Sequence, residues 1–148
     1  MDSAHHTACR YYNLDRGFSV ADLAVFHGHL GPYIVIGYRI GRYVREHFCD
    51  DPFCLKATVF CSGTTPQSCL ADGVQLGSGC TLGKRNIEIV PADTIRCEFA
   101  REGTTLSLTP HPFTLPPGSG PEYEAAIEEI AERMYSMPDA DLFEVTSR

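Results

Sequence analysis

The stretch Phe26-His-Gly-His-Leu-Gly-Pro32 lies between two apolar, helix-periodic runs and decides how they are joined. Its two glycines end the first helix, and Pro32 suits the first turn of the second because its missing amide proton would go unpaired there. The connection carries two imidazoles, those of His27 and His29, one residue apart. The free amides at the start of the second helix favour thiolates or an anion, so we expect this connection to present side chains to a ligand.

Both flanking runs have the period of a helix. Ser19 is a suitable N-cap, with Asp22 at the third helical position, for a short helix that ends at Phe26. The second helix is predicted from Pro32 to about Phe48, because apolar residues recur at every fourth position: Ile36, Ile40, Val44 and Phe48. Its expected solvent side carries Arg39, Arg42, Arg45 and Glu46.

Gly37 and Gly41 lie one turn apart in this second helix. A glycine in a helix interior costs roughly 1 kcal/mol relative to alanine, so some contact must offset that cost. We expect close backbone packing against the sheet or against a second subunit. The glycine pair and the acidic last helix together predict a homodimer.

The rest of the chain alternates between strands and helices. Leu55 to Cys61 has strand alternation, and Thr65 with Pro66 would open a helix from Gln67 to Gly77. Further strands are predicted at 87–90, 94–100 and 104–109, an amphipathic helix at 121–136 and an extended tail at 142–145. The predicted fold is α+β, a single compact domain with an antiparallel sheet covered by helices, preceded by a loose lead-in over residues 1–17.

Composition excludes several classes of function. The chain has 148 residues and a net charge of −7, without the basic stripe that a nucleic-acid-binding protein needs. No secretory signal or long apolar run is recognisable, so we expect a cytoplasmic protein that does not enter the membrane. Seven cysteines without a Cys-x-x-Cys pair do not predict a disulfide framework. Cys9, Cys49, Cys54 and Cys97 are interpreted as buried or incidental thiols.

Two later stretches carry candidate site residues. Cys69, Asp72 and Leu76 share a face of the predicted helix, and Gln75 lies beside Asp72. A carboxylate in mid-helix beside a glycine breaks local rules, as functional positions often do, although Asp72 facing water is the alternative. Cys80 follows between glycines, and Lys84 either meets an anionic substrate group or pairs with the acidic surface. Arg85 stands where a nucleotide loop has a hydroxyl residue, so we reject a nucleotide site.

These three blocks together resemble the FmdE family, which takes its name from formylmethanofuran dehydrogenase. The similar stretches are Phe26-His-Gly-His-Leu, Cys69-Leu-Ala-Asp-Gly-Val-Gln75 and Gly79-Cys-Thr-Leu-Gly-Lys-Arg-Asn86, in that order. The resemblance implies an α+β metal-binding domain over residues 18–148 that acts beside the molybdenum or tungsten formylmethanofuran dehydrogenase and its subunits. Relative to the family pattern, Gly31 replaces a cysteine, and the zinc-ribbon tail of longer members is absent.

The chemistry of these residues is consistent with a transition metal. Zinc or a similar divalent ion prefers imidazole nitrogen and thiolate sulfur, and His27, His29, Cys69 and Cys80 offer such a set. His29 is alternatively an outer residue that orients His27, and Cys61 is a possible replacement for the thiolate missing at Gly31. Asp72 would act as a base, and Gln75 with Lys84 would hold a small anionic substrate or cofactor.

Two readings of the function remain open. With a free coordination position the metal site would be catalytic, in an enzyme or accessory protein of one-carbon metabolism. With all positions filled it would be structural, in a non-catalytic module that stabilises its fold or handles metal and sulfur.

Overall fold

A computed structural model describes residues 9–12 and 14–147, so most of the predicted lead-in, including His5 and His6, lies outside the described part. The described chain folds into an α+β domain with one sheet, as predicted. Its helices are α1 (Val20–His27), α2 (Pro32–His47), α3 (Leu70–Ser78), α4 (Pro121–Ser136) and α5 (Asp139–Leu142). Its strands are β1 (Lys56–Cys61), β2 (Ile87–Pro91), β3 (Arg96–Arg101), β4 (Thr104–Pro110) and β5 (Phe143–Ser147).

The sheet is mixed, and this corrects the predicted antiparallel arrangement. The strand order is β2-β1-β3-β4-β5, with β2 parallel to β1 and the other pairs antiparallel. β1 therefore lies between β2 and β3, although these two strands follow one another in the chain. The physical reason is the helix α3 between β1 and β2, because a crossover helix returns the chain to the same end of the sheet. The C-terminal tail adds to the sheet of its own chain, as β5 beside β4.

Four glycines set the contact between α2 and α3. A Cβ atom on Gly37 would lie 2.1 Å from the carbonyl oxygen of Leu70, and one on Gly73 would lie 2.0 Å from that of Ile34. The same close approach holds at two further positions, Gly41 and Gly77. The partner of the α2 glycines is thus α3 of the same chain, and their helix-propensity cost is offset by direct backbone packing.

Arg39 corrects the predicted solvent side of α2. Its side chain is almost fully buried and donates hydrogen bonds to the carbonyl oxygens of Met134 and Tyr135, at 2.8 and 2.9 Å. It also pairs with Asp139 at 2.8 Å. The last carbonyls of a helix have no intrahelical partners, so the guanidinium satisfies the C-terminal end of α4. α4 accordingly packs against α2 of the same chain.

The N-cap predicted for α1 is confirmed, whereas the one predicted for α3 is not. The predicted cap of α1 is confirmed, with Ser19 and Asp22 forming a reciprocal capping box. The predicted cap at Thr65 is wrong, because a single 3-10 turn over Gln67–Cys69 precedes α3. Cys69 consequently lies at the N-terminal end of α3, at the junction with α1.

α2 is the central helix of the domain and is largely buried along its length. In the part of the chain that the structure describes, no single helix is long and apolar enough to cross a membrane. α1 and α2 reach that length and apolarity only as a pair, and the pair is bent by 116°.

Candidate functional site

A cavity of about 110 Å³ lies where α1, the start of α2, the start of α3 and α4 meet. Three of the predicted ligands line it: His27, His29 and Cys69. Gly31, Tyr33 and Glu124 belong to the same wall. The connection between α1 and α2 and the Cys69 turn therefore line the same small, partly open cavity. We call it the histidine pocket.

His27 ends α1 and is held by a carboxylate from α3. Its Nδ1 lies 2.6 Å from Oδ2 of Asp72, and the imidazole side chain is only 12% exposed. Gly28 follows with a positive φ of 102°, which turns the chain sharply away at that point. Since an ionised carboxylate only accepts hydrogen bonds, Nδ1 of His27 donates to Asp72, and in the neutral imidazole Nε2 would then carry the lone pair. Asp72 thus contacts His27, whereas the alternative reading left it facing water.

His29 has a carboxylate neighbour of its own. Its Nδ1 lies 3.7 Å from Oε2 of Glu124, and its ring centroid is 5.2 Å from that of His27. Glu124 belongs to the first turn of α4. Sequence reasoning missed it because its acid-rich turn reads as a solvated helix start, and only the packing of α4 on α2 brings it here.

Gly31 adjoins the same imidazole. A Cβ atom placed on Gly31 would lie 3.4 Å from Cε1 of His29, an ordinary contact distance. Its backbone is extended, with φ of −138° and ψ of 167°, so an L-residue fits there without strain. The position at which the family pattern has a cysteine therefore borders the histidine pocket.

Cys69 stands between two cavities. It lines the histidine pocket and also a groove of about 410 Å³ between α3 and β2, whose other walls include Asp72, Leu82 and Ile89. Burial raises the pKa of the Cys69 thiol, and the charge of Asp72 raises it further. The sulfur is therefore protonated at neutral pH, and a metal ion would have to displace that proton on binding.

Cys80 is not brought together with the other three predicted ligands. It is fully buried, its Sγ lies 3.6 Å from the carbonyl oxygen of Leu55, and it lines neither the histidine pocket nor the groove. Burial raises the pKa of Cys80 to about 11, which is typical of a core thiol. The suggested replacement ligand Cys61 is also fully buried, in β1, and lines neither cavity.

The two residues predicted to hold a substrate have other contacts. Oε1 of Gln75 accepts a hydrogen bond from the backbone amide of Leu82 at 2.8 Å, although Gln75 does line the groove. Nζ of Lys84 lies 3.0 Å from Oγ1 of Thr81 and 5.4 Å from the ring centroid of Phe53. Lys84 lines neither cavity, so its ammonium does not face a ligand bound beside His27.

The donor types at the histidine pocket suit a transition metal, since two imidazoles and a thiol are its preferred protein ligands. The spacing of these side chains, in contrast, is too wide for a formed metal site. Within residues 9–12 and 14–147, no three histidine, cysteine, aspartate or glutamate side chains lie close enough together to hold a metal ion. A metal ion bound by these side chains would therefore require some of them to rotate, and the imidazole of His29 is about half exposed.

The fold and the pocket define a class of protein: α+β domains in which a His-x-His connection meets a cysteine-bearing helix. The chain belongs to the FmdE family, whose model, described as "FmdE, Molybdenum formylmethanofuran dehydrogenase operon", matches residues 26–144. This confirms the resemblance seen in the sequence, and the family description associates its members with that operon.

A second comparison gives a relative whose name does not mention this family. A "Probable S-adenosyl-L-methionine-binding protein" of Archaeoglobus fulgidus is 31% identical over 64 residues. The matched region is 42% of this chain and 18% of that protein, so this chain spans only a small part of the relative's length.

Proposed function

We propose that this protein binds a divalent transition metal, zinc or a similar ion, in the histidine pocket, and acts beside formylmethanofuran dehydrogenase in molybdenum or tungsten one-carbon metabolism. The ligands would be His27, His29 and Cys69, without Cys80. The observation that carries the proposal is the 2.6 Å contact between Nδ1 of His27 and Asp72, made by a histidine that lines the pocket together with His29 and Cys69.

Pairing with a carboxylate is the common arrangement of metal-binding histidines, because it fixes the tautomer and makes the other nitrogen a better ligand. Here it occurs at His27 with Asp72, and more loosely at His29 with Glu124. A histidine that serves only packing has no need of a second imidazole and a thiol in the same small cavity. The thiol of Cys69 adds a soft donor that disfavours magnesium and calcium.

The location of the pocket supports a functional metal over a structural one. The hydrophobic core lies between α2, α3 and the sheet, and it is closed by hydrocarbon side chains such as Ile40, Val59 and Phe99. His29 is about half exposed, at the outer rim of this core. Since most core residues, including Ile40, Val59 and Phe99, do not line the pocket, a metal there would not be needed to hold the fold together.

In this proposal Asp72 is a positioning residue for His27. A bound metal with an open coordination position would supply Lewis-acid chemistry to a substrate oxygen. The substrate would reach it along the groove, which is lined by apolar side chains including Leu82, Ile87 and Ile89. The predicted anionic substrate and the predicted homodimer stay predictions, since Lys84 points elsewhere and the glycine pair packs within the chain.

The test is a titration of metal-free protein with Co²⁺, whose visible spectrum reports thiolate ligation. The protein should carry no affinity tag, and His5 and His6 should both be alanine so that they do not compete. One equivalent should bind with a sulfur-to-metal charge-transfer band. The band should disappear in Cys69→Ser and persist in the matched control Cys80→Ser. Loss of the band in Cys80→Ser alone, or no binding at all, would overturn the proposal.

A further inference from the structure

A second pair of thiols lies away from the histidine pocket, just beyond the end of α2. Cys49 and Cys54 both line a surface hollow of about 560 Å³, together with His47, Asp51 and Arg101. Considered separately, each cysteine was interpreted as incidental. The structure places both against one residue, Asp51, and this inference is independent of the proposed metal site.

Asp51 holds the two cysteines close together. Its carbonyl oxygen accepts from the Cys49 thiol at 3.5 Å and from the backbone amide of Cys54 at 3.2 Å. Its side-chain oxygen Oδ2 accepts from the Cys54 thiol at 3.2 Å. The chain therefore reverses direction around Asp51, in a turn that contains Pro52. One carbonyl oxygen therefore contacts both residues, which places the two cysteines on the same turn and within reach of one another.

The two thiols differ in exposure. Cys54 is exposed, whereas Cys49 is only 5% exposed. The hydrogen bond to Asp51 raises the pKa of Cys54, so the thiolate fraction at neutral pH is small and exchange at this thiol should be slow. An exposed thiol that meets the oxidant and a sheltered thiol that resolves the product is the arrangement of a reversible dithiol switch.

We propose that Cys49 and Cys54 form a reversible intramolecular disulfide by exchange with a low-molecular-weight disulfide such as oxidised glutathione. The Cys54 thiolate attacks one glutathione sulfur, a mixed disulfide forms, and the first glutathione leaves as its thiolate. The Cys49 thiolate then attacks Sγ of Cys54 and releases the second glutathione. The two cysteines are oxidised by two electrons, the glutathione disulfide is reduced, and the two cysteine protons pass to the released thiols.

The test uses the full chain, treated with oxidised glutathione, alkylated to block remaining thiols and digested with a protease that cleaves before aspartate. Cleavage before Asp50 and Asp51 separates the two cysteines, so a disulfide would appear by mass spectrometry as two linked peptides. We expect that link, with the other five of the seven cysteines alkylated. Returning the sample to reduced glutathione should restore alkylation at both positions.

Two variants complete the test. Cys54→Ser should lose the link, and the matched control Cys9→Ser, which removes the other exposed thiol, should keep it. A glutathione adduct that stays on Cys54 while Cys49 is alkylated would overturn the proposal. A Cys9–Cys54 link in the wild type would overturn it equally.

Discussion

Cys69 and Cys80 flank the same helix, and their surroundings are opposite. Cys69, before α3, is partly exposed and lines both the histidine pocket and the groove. Cys80, after α3, is fully buried with its thiol directed at the carbonyl oxygen of Leu55. α3 therefore presents one sulfur to a cavity and the other to the core. Similar motif positions in sequence do not carry similar chemistry, because the two ends of a crossover helix face different neighbours.

The stretch after α3 shows why Cys80 is structural. Asn86 donates from Nδ2 to the carbonyl oxygens of Pro52 and Leu55, and its Oδ1 accepts from the amide of Thr81. Ser78 accepts from the amide of Cys80. These contacts close residues 79–86 onto the segment before β1. The polar groups of this stretch stabilise the fold, whereas His27, His29 and Cys69 line a partly open cavity.

Asn86→Ala should give the largest change, and it should be one of stability alone. Three hydrogen bonds are lost and their partners are half-buried, so the free energy of unfolding should fall by about 3 kcal/mol. For a domain of this size the melting temperature should drop by roughly 6–12 °C. Urea unfolding followed by circular dichroism measures the change.

The matched control for Asn86→Ala is His29→Ala, which removes an exposed side chain at the pocket. It should leave the free energy of unfolding within about 0.5 kcal/mol of the wild type. If His29→Ala destabilised the protein as much as Asn86→Ala, the contrast between a closed structural stretch and an open pocket would be wrong.

The fold was largely readable from local signals. The capping box at Ser19, Pro32 at the start of α2 and the periodicity of α4 each reflect interactions within one element, and each prediction is confirmed. The parallel pairing of β2 and the burial of Arg39 were not readable in this way. Both depend on which elements become neighbours, and local patterns carry no information about that.

The site was readable only in part for the same reason. His27, His29, Cys69 and Cys80 were predicted to converge on one metal ion, and the first three of them line one cavity. Cys80 looked equivalent to Cys69 because glycines frame it, but glycine framing also describes a tight turn into the core. Glu124 was missed because its neighbour His29 is distant in sequence, and nothing local distinguishes it from the other acids of α4.

Asp72→Asn tests whether Asp72 supports metal binding by His27 at the histidine pocket. An amide in place of the carboxylate would still fit beside Nδ1 of His27 but would no longer fix its tautomer by charge. Metal affinity should fall about fiftyfold, or about 2 kcal/mol, as is typical for an outer partner of a histidine ligand. Competition with a chromophoric chelator measures it.

Glu88→Gln is the matched control for Asp72→Asn, since it also neutralises an acid lining the groove. It should leave metal affinity unchanged. Equal losses in the two variants would mean that general negative charge attracts the metal, and the specific role of Asp72 would then be rejected.

The pKa of Cys80 predicts how burial of this thiol makes the free energy of unfolding depend on pH. Because folding raises this pKa from 9.0 to about 11, the folded protein keeps a proton that the unfolded chain releases above pH 9. The stability that this proton contributes is fully present below pH 9 and is lost as the pH rises towards 11. The loss should amount to about 2 kcal/mol at pH 10.5. Urea unfolding of the wild type and Cys80→Ala between pH 8 and 10.5 should show a shallower decline in the variant. Parallel curves would contradict this prediction.

Gly31→Cys should give the smallest change and, unlike the others, a gain. The backbone at Gly31 accepts a side chain, and the new Cβ atom would contact His29 at the wall of the pocket. A thiolate added beside two imidazoles and Cys69 would complete a set of four soft and borderline ligands, so metal affinity should rise about fivefold, or about 1 kcal/mol. The Co²⁺ charge-transfer band should also intensify, because two sulfurs would then be bound.

The matched control Gly31→Ser has a side chain of the same shape without the soft donor atom, and it should change neither the affinity nor the band. If serine raised the affinity as much as cysteine, the gain would come from a less flexible backbone at the start of α2, and the pocket would not be the place where the family thiolate acts.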